Sequence, residues 1–502
     1  MVLWKNWRVE VSQSKPFPKP ELRLALESAL PENDQVSSEL REPQFTYVPA
    51  SHAKALNPEN TIVEGMRGAG KSHWWAALNN EAHRKYLAAA FPESKIDSGY
   101  ETSQGWGLGL SPTISPSKDT LARLLLKSYN PRHIWQSVVA VHAKLQKPFP
   151  LESSWEEKVT WIRDNPEKHE LLIYDAGDRL FKQNRKQLIL FDALDRLADD
   201  WKGLRPLASA LFQLSLDMLA NKGIRLKLFV RPDMLEDKEI LAFPDSSKLS
   251  ARTVHLTWQR ADLYALLFQC LANDPGHGVS FRDHCATVFG QHWASSQNAW
   301  ILSEGLRHDE LLQKEVFHAL AGPFMAAGPS GHKRGFPYTW LPNHLVDSRD
   351  QVSPRSFFAA LRSALSKAQQ PNWPYALDFK AIQAGVQEAS TIRVKEITQE
   401  DYPWVGHMME PLKKKITVPC QEHEITDLWR QAGTLASVKS ASDHGSGVKL
   451  LPPHIDDGPS GVLRDMRDLG VLNYIADNRV QVPDIYRVAF GLGRRGGVKP
   501  LK

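Results

Sequence analysis

Apolar residues in this chain change their spacing along its length, and the change divides it. From about 59 to 270, short apolar blocks alternate with longer stretches of helical spacing. That alternation predicts a parallel sheet with crossover helices. Thr61-Ile62-Val63 is one block, Leu188-Ile189-Leu190-Phe191 another, and Ile224 to Val230 a third. Residues 271–395 carry mostly helical periodicity, broken by Gly322-Pro323 and Gly328-Pro329-Ser330-Gly331. Before them, residues 1–58 read as an arm. Lys15-Pro16-Phe17-Pro18-Lys19-Pro20 is extended, Glu21 to Leu30 suits a short helix, and Pro31 to Asp34 breaks it.

The remainder, 396–502, reads as a small separate domain. Pro459 to Leu469 suits an amphipathic helix with Val462, Met466 and Leu469 on one side, stopped by Gly470. Val471 to Ile475 and Arg479 to Val482 then flank Ala476-Asp477-Asn478, which predicts a hairpin. Helices followed by a hairpin predict a winged helix, a module that either contacts DNA or packs on a nucleotide domain. The expected fold class is therefore α/β: a parallel-sheet P-loop core (59–270), a helical lid (271–395) and a winged-helix-like C-terminal domain (396–502).

Candidate chemistry is concentrated at Gly65-Met66-Arg67-Gly68-Ala69-Gly70-Lys71-Ser72, the full GxxxxGK[ST] phosphate loop. Three glycines let the backbone wrap a polyphosphate so that N–H groups point at its oxygens. Lys71 brings positive charge to the β/γ oxygens, and the Ser72 hydroxyl suits Mg²⁺. His73-Trp74-Trp75-Ala76-Ala77-Leu78 continues as a helix whose N-terminus faces the phosphates. The cofactors predicted are ATP and Mg²⁺, with Gly65 to His73 as the binding segment; the loop reads phosphates and leaves the base open. A second glycine-rich stretch, Gly105-Trp106-Gly107-Leu108-Gly109, is read as a strand end running into a loop.

A Mg-nucleotide site also needs a carboxylate at the tip of a neighbouring buried strand. Asp192 after Leu188–Phe191 and Asp175 after Leu171–Tyr174 both qualify. Leu172, Ala176 and Leu180 recur at helical spacing, so residues 169–186 read as a helix and Asp192 is preferred. The slot where a water-activating glutamate commonly follows holds Ala193. Asp195, one helical turn on, is the acid then expected to orient the attacking water, unless it is only a helix cap. Arg231, after Val230, is placed to sense the γ-phosphate, and Arg355 in Pro354-Arg355 to reach back from the lid.

Taken together, Gly65–Ser72, the hhhhD-x-x-D-R form of Leu188–Arg196, Val230-Arg231 and Pro354-Arg355 resemble the bacterial AAA-like P-loop ATPases of the KAP and STAND branches. The resemblance runs over roughly 45–370 plus the C-terminus. It implies a switch ATPase whose nucleotide state controls self-association and a protein partner or effector, with bacterial antiviral defence as one context. Two further readings are an ATP-dependent DNA-binding regulator or transposition-type helper, and a scaffold that binds ATP without hydrolysing it.

Bulk properties narrow the classes. With 24% charged and 42% hydrophobic residues among 502, the composition is that of a globular protein. No apolar run is long enough to span a membrane, and no signal peptide precedes the first block, so a cytoplasmic setting is expected. Cys270, Cys285 and Cys420 are too far apart for metal-ligand spacing and read as reduced thiols. A net charge of +5 permits a nucleic-acid partner without requiring one. The basic stretch Arg494 to Lys502 is read as a solvated tail or, in the DNA reading, a phosphate contact.

Overall fold

The computed structural model describes residues 17, 19–31, 40–96, 99–328, 331–367, 373–443 and 450–494. Most of the proline-rich run at 15–18, most of the breaker at 31–34, Pro329-Ser330 of the Gly-Pro-Ser-Gly loop and the basic tail from 495 lie outside these residues.

Five strands form one parallel sheet: β1 (Ile62–Glu64), β2 (Tyr100–Trp106), β3 (Lys186–Phe191), β4 (Ile224–Val230) and β5 (Thr253–His255). Their spatial order is β2-β3-β4-β1-β5. β4 thus lies between β1 and β3, pairing Ile62 with Leu228 on one side and Phe191 with Leu228 on the other. Alternation along β3 sends Ile189 and Phe191 into one apolar cluster and Leu188 and Leu190 into another. Both faces are therefore covered, which is why Leu188–Phe191 of β3 is a continuous apolar run rather than an alternating one. The fold is an α/β P-loop nucleotide-binding fold.

In β4, Arg225 and Lys227 interrupt the apolar positions, and the more deeply placed of the two is Lys227. It is fully buried, and its ammonium donates to the carbonyls of Ala55 (2.7 Å), Asn57 (3.0 Å) and Asn60 (2.6 Å). Those acceptors lie at the end of helix α2 (Ala50–Leu56) and in the turn leading to β1. A buried cation thus fixes the entry to the phosphate loop by using all three of its donors.

Helix α1 (Lys19–Ala29) packs Leu22, Ala25 and Leu26 into the same apolar cluster as the lid helices. Its first turn contains Pro20, so the helix begins two residues earlier than the sequence suggests. The described residues of 271–395 are mainly helical, and they also hold an antiparallel hairpin, Ala294–Ser296 with Ala299–Ile301. Its turn residues Gln297 and Asn298 both have positive φ, and no glycine marks the turn. In the C-terminal region, helix Gly458–Asp468 ends at Gly470 (φ +78°) and is followed by Asn473–Tyr474 paired with Val480–Gln481. Cys270, Cys285 and Cys420 are all free and buried.

Candidate functional site

The phosphate loop runs from β1 into helix α3 (Lys71–Asn79). Gly68 (φ +78°) and Gly70 (φ +107°) take backbone conformations that L side chains rarely adopt. Neighbouring elements clamp the loop. Gly65 N–H donates to Val230 O at 3.1 Å, and the Trp258 indole donates to Ala69 O at 2.8 Å. Trp74 N–H donates to Gly70 O, closing the first turn of α3. The amides of Lys71, Ser72 and His73 precede that bond and have no intrahelical acceptor. Together with Gly68 and Gly70 these residues line a cavity of about 370 Å³.

Lys71 donates to the carbonyls of Gly65 (2.5 Å) and Met66 (3.1 Å) across its own loop. Burial pulls its pKa down to about 8, against the opposing pull of Asp192. Asp192 follows β3 directly and accepts a hydrogen bond from the Ser72 side chain. Its carboxyl is pushed up by burial, although Ser72 and Lys71 hold it back. A hydroxyl and a carboxylate in contact are hard oxygen donors of the kind Mg²⁺ takes, with the remaining positions left to phosphate and water. Asp175 lies exposed in the helix Pro166–Lys182, away from the sheet tips.

Asp195 departs from the expected helix. Ala193 is left-handed (φ 53°), which breaks the chain after Asp192, and Leu194–Arg196 is a single 3₁₀ turn. The long helix starts only at Trp201 and is capped by Asp200, so Asp195 caps nothing there. It instead accepts from Arg231 Nη1 at 3.1 Å. Burial raises its carboxyl, but Arg231, Lys71 and Arg196 together bring it below the usual carboxylate range.

Arg231 is buried at the tip of β4. It makes a fork to Asp233 (3.2 and 3.1 Å), reaches Asp195 and Asp401 (3.4 Å), and donates to Tyr402 Oη. Burial lowers its pKa, but the surrounding acids hold it well above its ordinary value. Arg355 opens the lid helix Pro354–Ser366 and pairs with Glu396 at 2.7 Å, near the end of the lid helix Phe379–Glu396. The Ser353 N-cap of the first of these lid helices sits directly over Gly68, where an added Cβ would come within 2.9 Å of Ser353 Oγ.

Lys71, Ser72, Asp192, Asp195, Arg231 and Arg355 therefore line one cavity. Two contributions had no sequence signal. Phe45, Thr46 and Tyr47 from the arm line the far end of the cavity with Leu266, Cys270 and Phe358. Asp401 lines the same cavity, and Gln399–Asp401 border a neighbouring cleft of about 660 Å³. The latter approach depends on helix packing, since Asp401 lies 334 residues from Arg67.

No family model matches the chain, and no curated protein matches it. Among solved structures it is similar to the Aeropyrum pernix ORC2 protein in its ADPNP–ADP complexes, at 12% identity, covering 89% of this chain and 94% of that one, with a TM-score of 0.36. It is also similar to Cdc6p from Pyrobaculum aerophilum, at 11% identity, 90% and 94% coverage and a TM-score of 0.29. A third is the Aeropyrum pernix ORC1 protein in complex with DNA, at 15% identity, 94% coverage of both chains and a TM-score of 0.33. At such identities and scores these likenesses carry no functional weight. Among the described residues, no helix is long and apolar enough to cross a membrane.

Proposed function

We propose that this chain binds a nucleoside triphosphate, ATP with Mg²⁺, hydrolyses it, and acts as a nucleotide-controlled switch. The observation that carries the reading is the cavity in which Lys71, Ser72 and the amides opening α3 converge on Asp192. The backbone amides would take the phosphate oxygens and Lys71 would turn from the loop carbonyls to them. Ser72 and Asp192 would hold Mg²⁺, which when bound neutralises charge between the β- and γ-phosphates. Asp195 would orient the attacking water. Its carboxyl, kept ionised by Arg231, is a weak base, so it serves as a hydrogen-bond acceptor that aims the nucleophile more than as a proton sink. Slow turnover follows from that chemistry.

Arg355 and the lid would report the state of the terminal phosphate to the rest of the chain. Control of self-association and of a protein effector, with bacterial antiviral defence as context, rests on the family resemblance alone. The test is nucleotide binding by calorimetry together with phosphate release. Lys71→Ala should abolish ATP binding, and Asp195→Asn should keep binding while losing release. Unchanged turnover in the Lys71 variant would dismiss the assignment, and binding without any release by the parent chain would favour the scaffold reading.

The DNA-dependent reading draws on the helix and hairpin at 458–481, the elements expected of a winged helix. Its arginines are already neutralised: Arg464 pairs with Asp457 (3.5 Å), Arg467 with Asp468 (3.1 Å) and Arg479 with Asp477 (2.6 Å). That pairing favours packing over phosphate contact. Duplex affinity that falls steeply with salt would reverse this preference.

A further inference from the structure

The lid helix Phe379–Glu396 runs into a π-helical turn, Ile397–Asp401, at the mouth of the phosphate cavity. Such turns are rare and concentrate at functional places. Three acids on this stretch meet the arginines of the site. Asp401 takes Arg67 Nη1 at 2.5 Å and Arg231 Nη1 at 3.4 Å. Glu400 pairs with Arg67 Nη2, and Glu396 with Arg355 at 2.7 Å and with Arg67 Nε at 3.7 Å. Arg393, one turn back, reaches Glu396 at 3.6 Å and the carbonyl of Arg67 at 3.4 Å.

Resting on the nucleotide reading above, we propose that Glu400 and Asp401 form an internal phosphate mimic that competes with the terminal phosphate for Arg67 and Arg231. Arg67 belongs to the phosphate loop itself, and Arg231 holds Asp195 with the same nitrogen that it offers to Asp401. A terminal phosphate that recruits these guanidinium groups must take them from Asp401. The Asp401 side chain is only 7% exposed and held by two arginines, and loss of water around it pushes its carboxyl up even with Arg231 and Arg67 beside it. Displacement therefore moves the π turn, not only a side chain. The next residue, Tyr402, is tied to Arg231 and donates to Asp233 at 2.5 Å, so the start of helix Pro403–Met409 follows. A diphosphate lacks the group that competes, so the mimic discriminates ATP from ADP.

The experiment compares ATP and ADP dissociation constants, by calorimetry with Mg²⁺, for the full chain and for Asp401→Asn and Glu400→Gln. Asp401→Asn keeps shape and removes charge, and should tighten ATP about tenfold relative to ADP. Glu400 is half exposed, so Glu400→Gln folds more safely and should shift the ratio in the same direction by about twofold to threefold. Hydrogen exchange adds a second readout: amides of 397–409 should exchange faster with ATP than with ADP in the unmodified chain. An unchanged ATP/ADP ratio in both variants, or equal loss of both nucleotides, overturns the mimic while leaving nucleotide binding intact. Failure of the unmodified chain to bind either nucleotide overturns both readings.

Discussion

Replacing Arg231 by methionine keeps most of the side-chain volume and deletes the cation. The guanidinium is buried and serves Asp195, Asp233 and Asp401 together with Tyr402, over whose ring it lies at 4.7 Å. Asp195 and Asp233 would then lose their ion-pair partner, and Asp401 would be left to Arg67 at 2.5 Å. Removing one partner of a buried ion pair costs about 3–5 kcal/mol. With an unfolding entropy near 2 cal/mol/K per residue, that lowers the midpoint of a cooperative unit this size by about 3–5 °C. The pH dependence is the sharper mark. Asp401 already sits above its ordinary value because of burial, and loss of Arg231 removes the strongest force holding it down. A carboxyl raised above its unfolded value contributes stability at low pH and loses it as pH rises through the folded value. The deficit should therefore be larger at pH 8 than at pH 5, by about 1.4 kcal/mol for each unit of the carboxyl's rise that falls between those two values. Differential scanning calorimetry of parent and variant at both pH values reads this directly. A deficit below about 1 kcal/mol, or one equal at the two pH values, refutes the view of Arg231 as the counter-charge of this cluster.

Gly68→Ala should weaken ATP binding at least tenfold, since the φ of +78° is strained and the new methyl meets Ser353. Adding Ser353→Gly should restore part of the loss, whereas no such rescue is expected for Gly70→Ala, whose nearest neighbour is 3.7 Å away. Asp192→Asn should remove most of the Mg²⁺-dependent gain in ATP affinity, and Asp175→Asn, on an exposed helix face, should leave a Mg²⁺ titration unchanged.

The sequence makes the local parts of the site legible because each is written in a short stretch of chain. The glycines and Lys71 specify the loop, and helical spacing through Leu172, Ala176 and Leu180 separates Asp175 from Asp192. The apolar run Leu188–Phe191 announces a strand covered on both faces. Non-local pairing is different in kind. Nothing in Ile224–Val230 tells that it inserts between β1 and β3, because that depends on which crossovers pack on which face. Glu396, Glu400 and Asp401 carry no local motif, and only packing brings them to Arg67. Asp195 was expected one helical turn beyond Asp192, and the left-handed Ala193, a residue with no marked preference for that conformation, redirected it.

Helix α1 touches the opposite end of the lid from the phosphates. Arg23 donates to Leu365 O (2.6 Å) and Ala376 O (2.9 Å), and Lys19 to Trp373 O (2.5 Å), bridging the segment between the two lid helices. Those helices lie so close that a methyl on Gly385 would strike the Ala360 carbonyl, and they must travel as one rod. At 18 residues that rod is about 27 Å long, and tilting it by roughly 10° sweeps its tip about 5 Å. A shift among the arginines at one end of this rod would thus be felt as tension on α1 at the other.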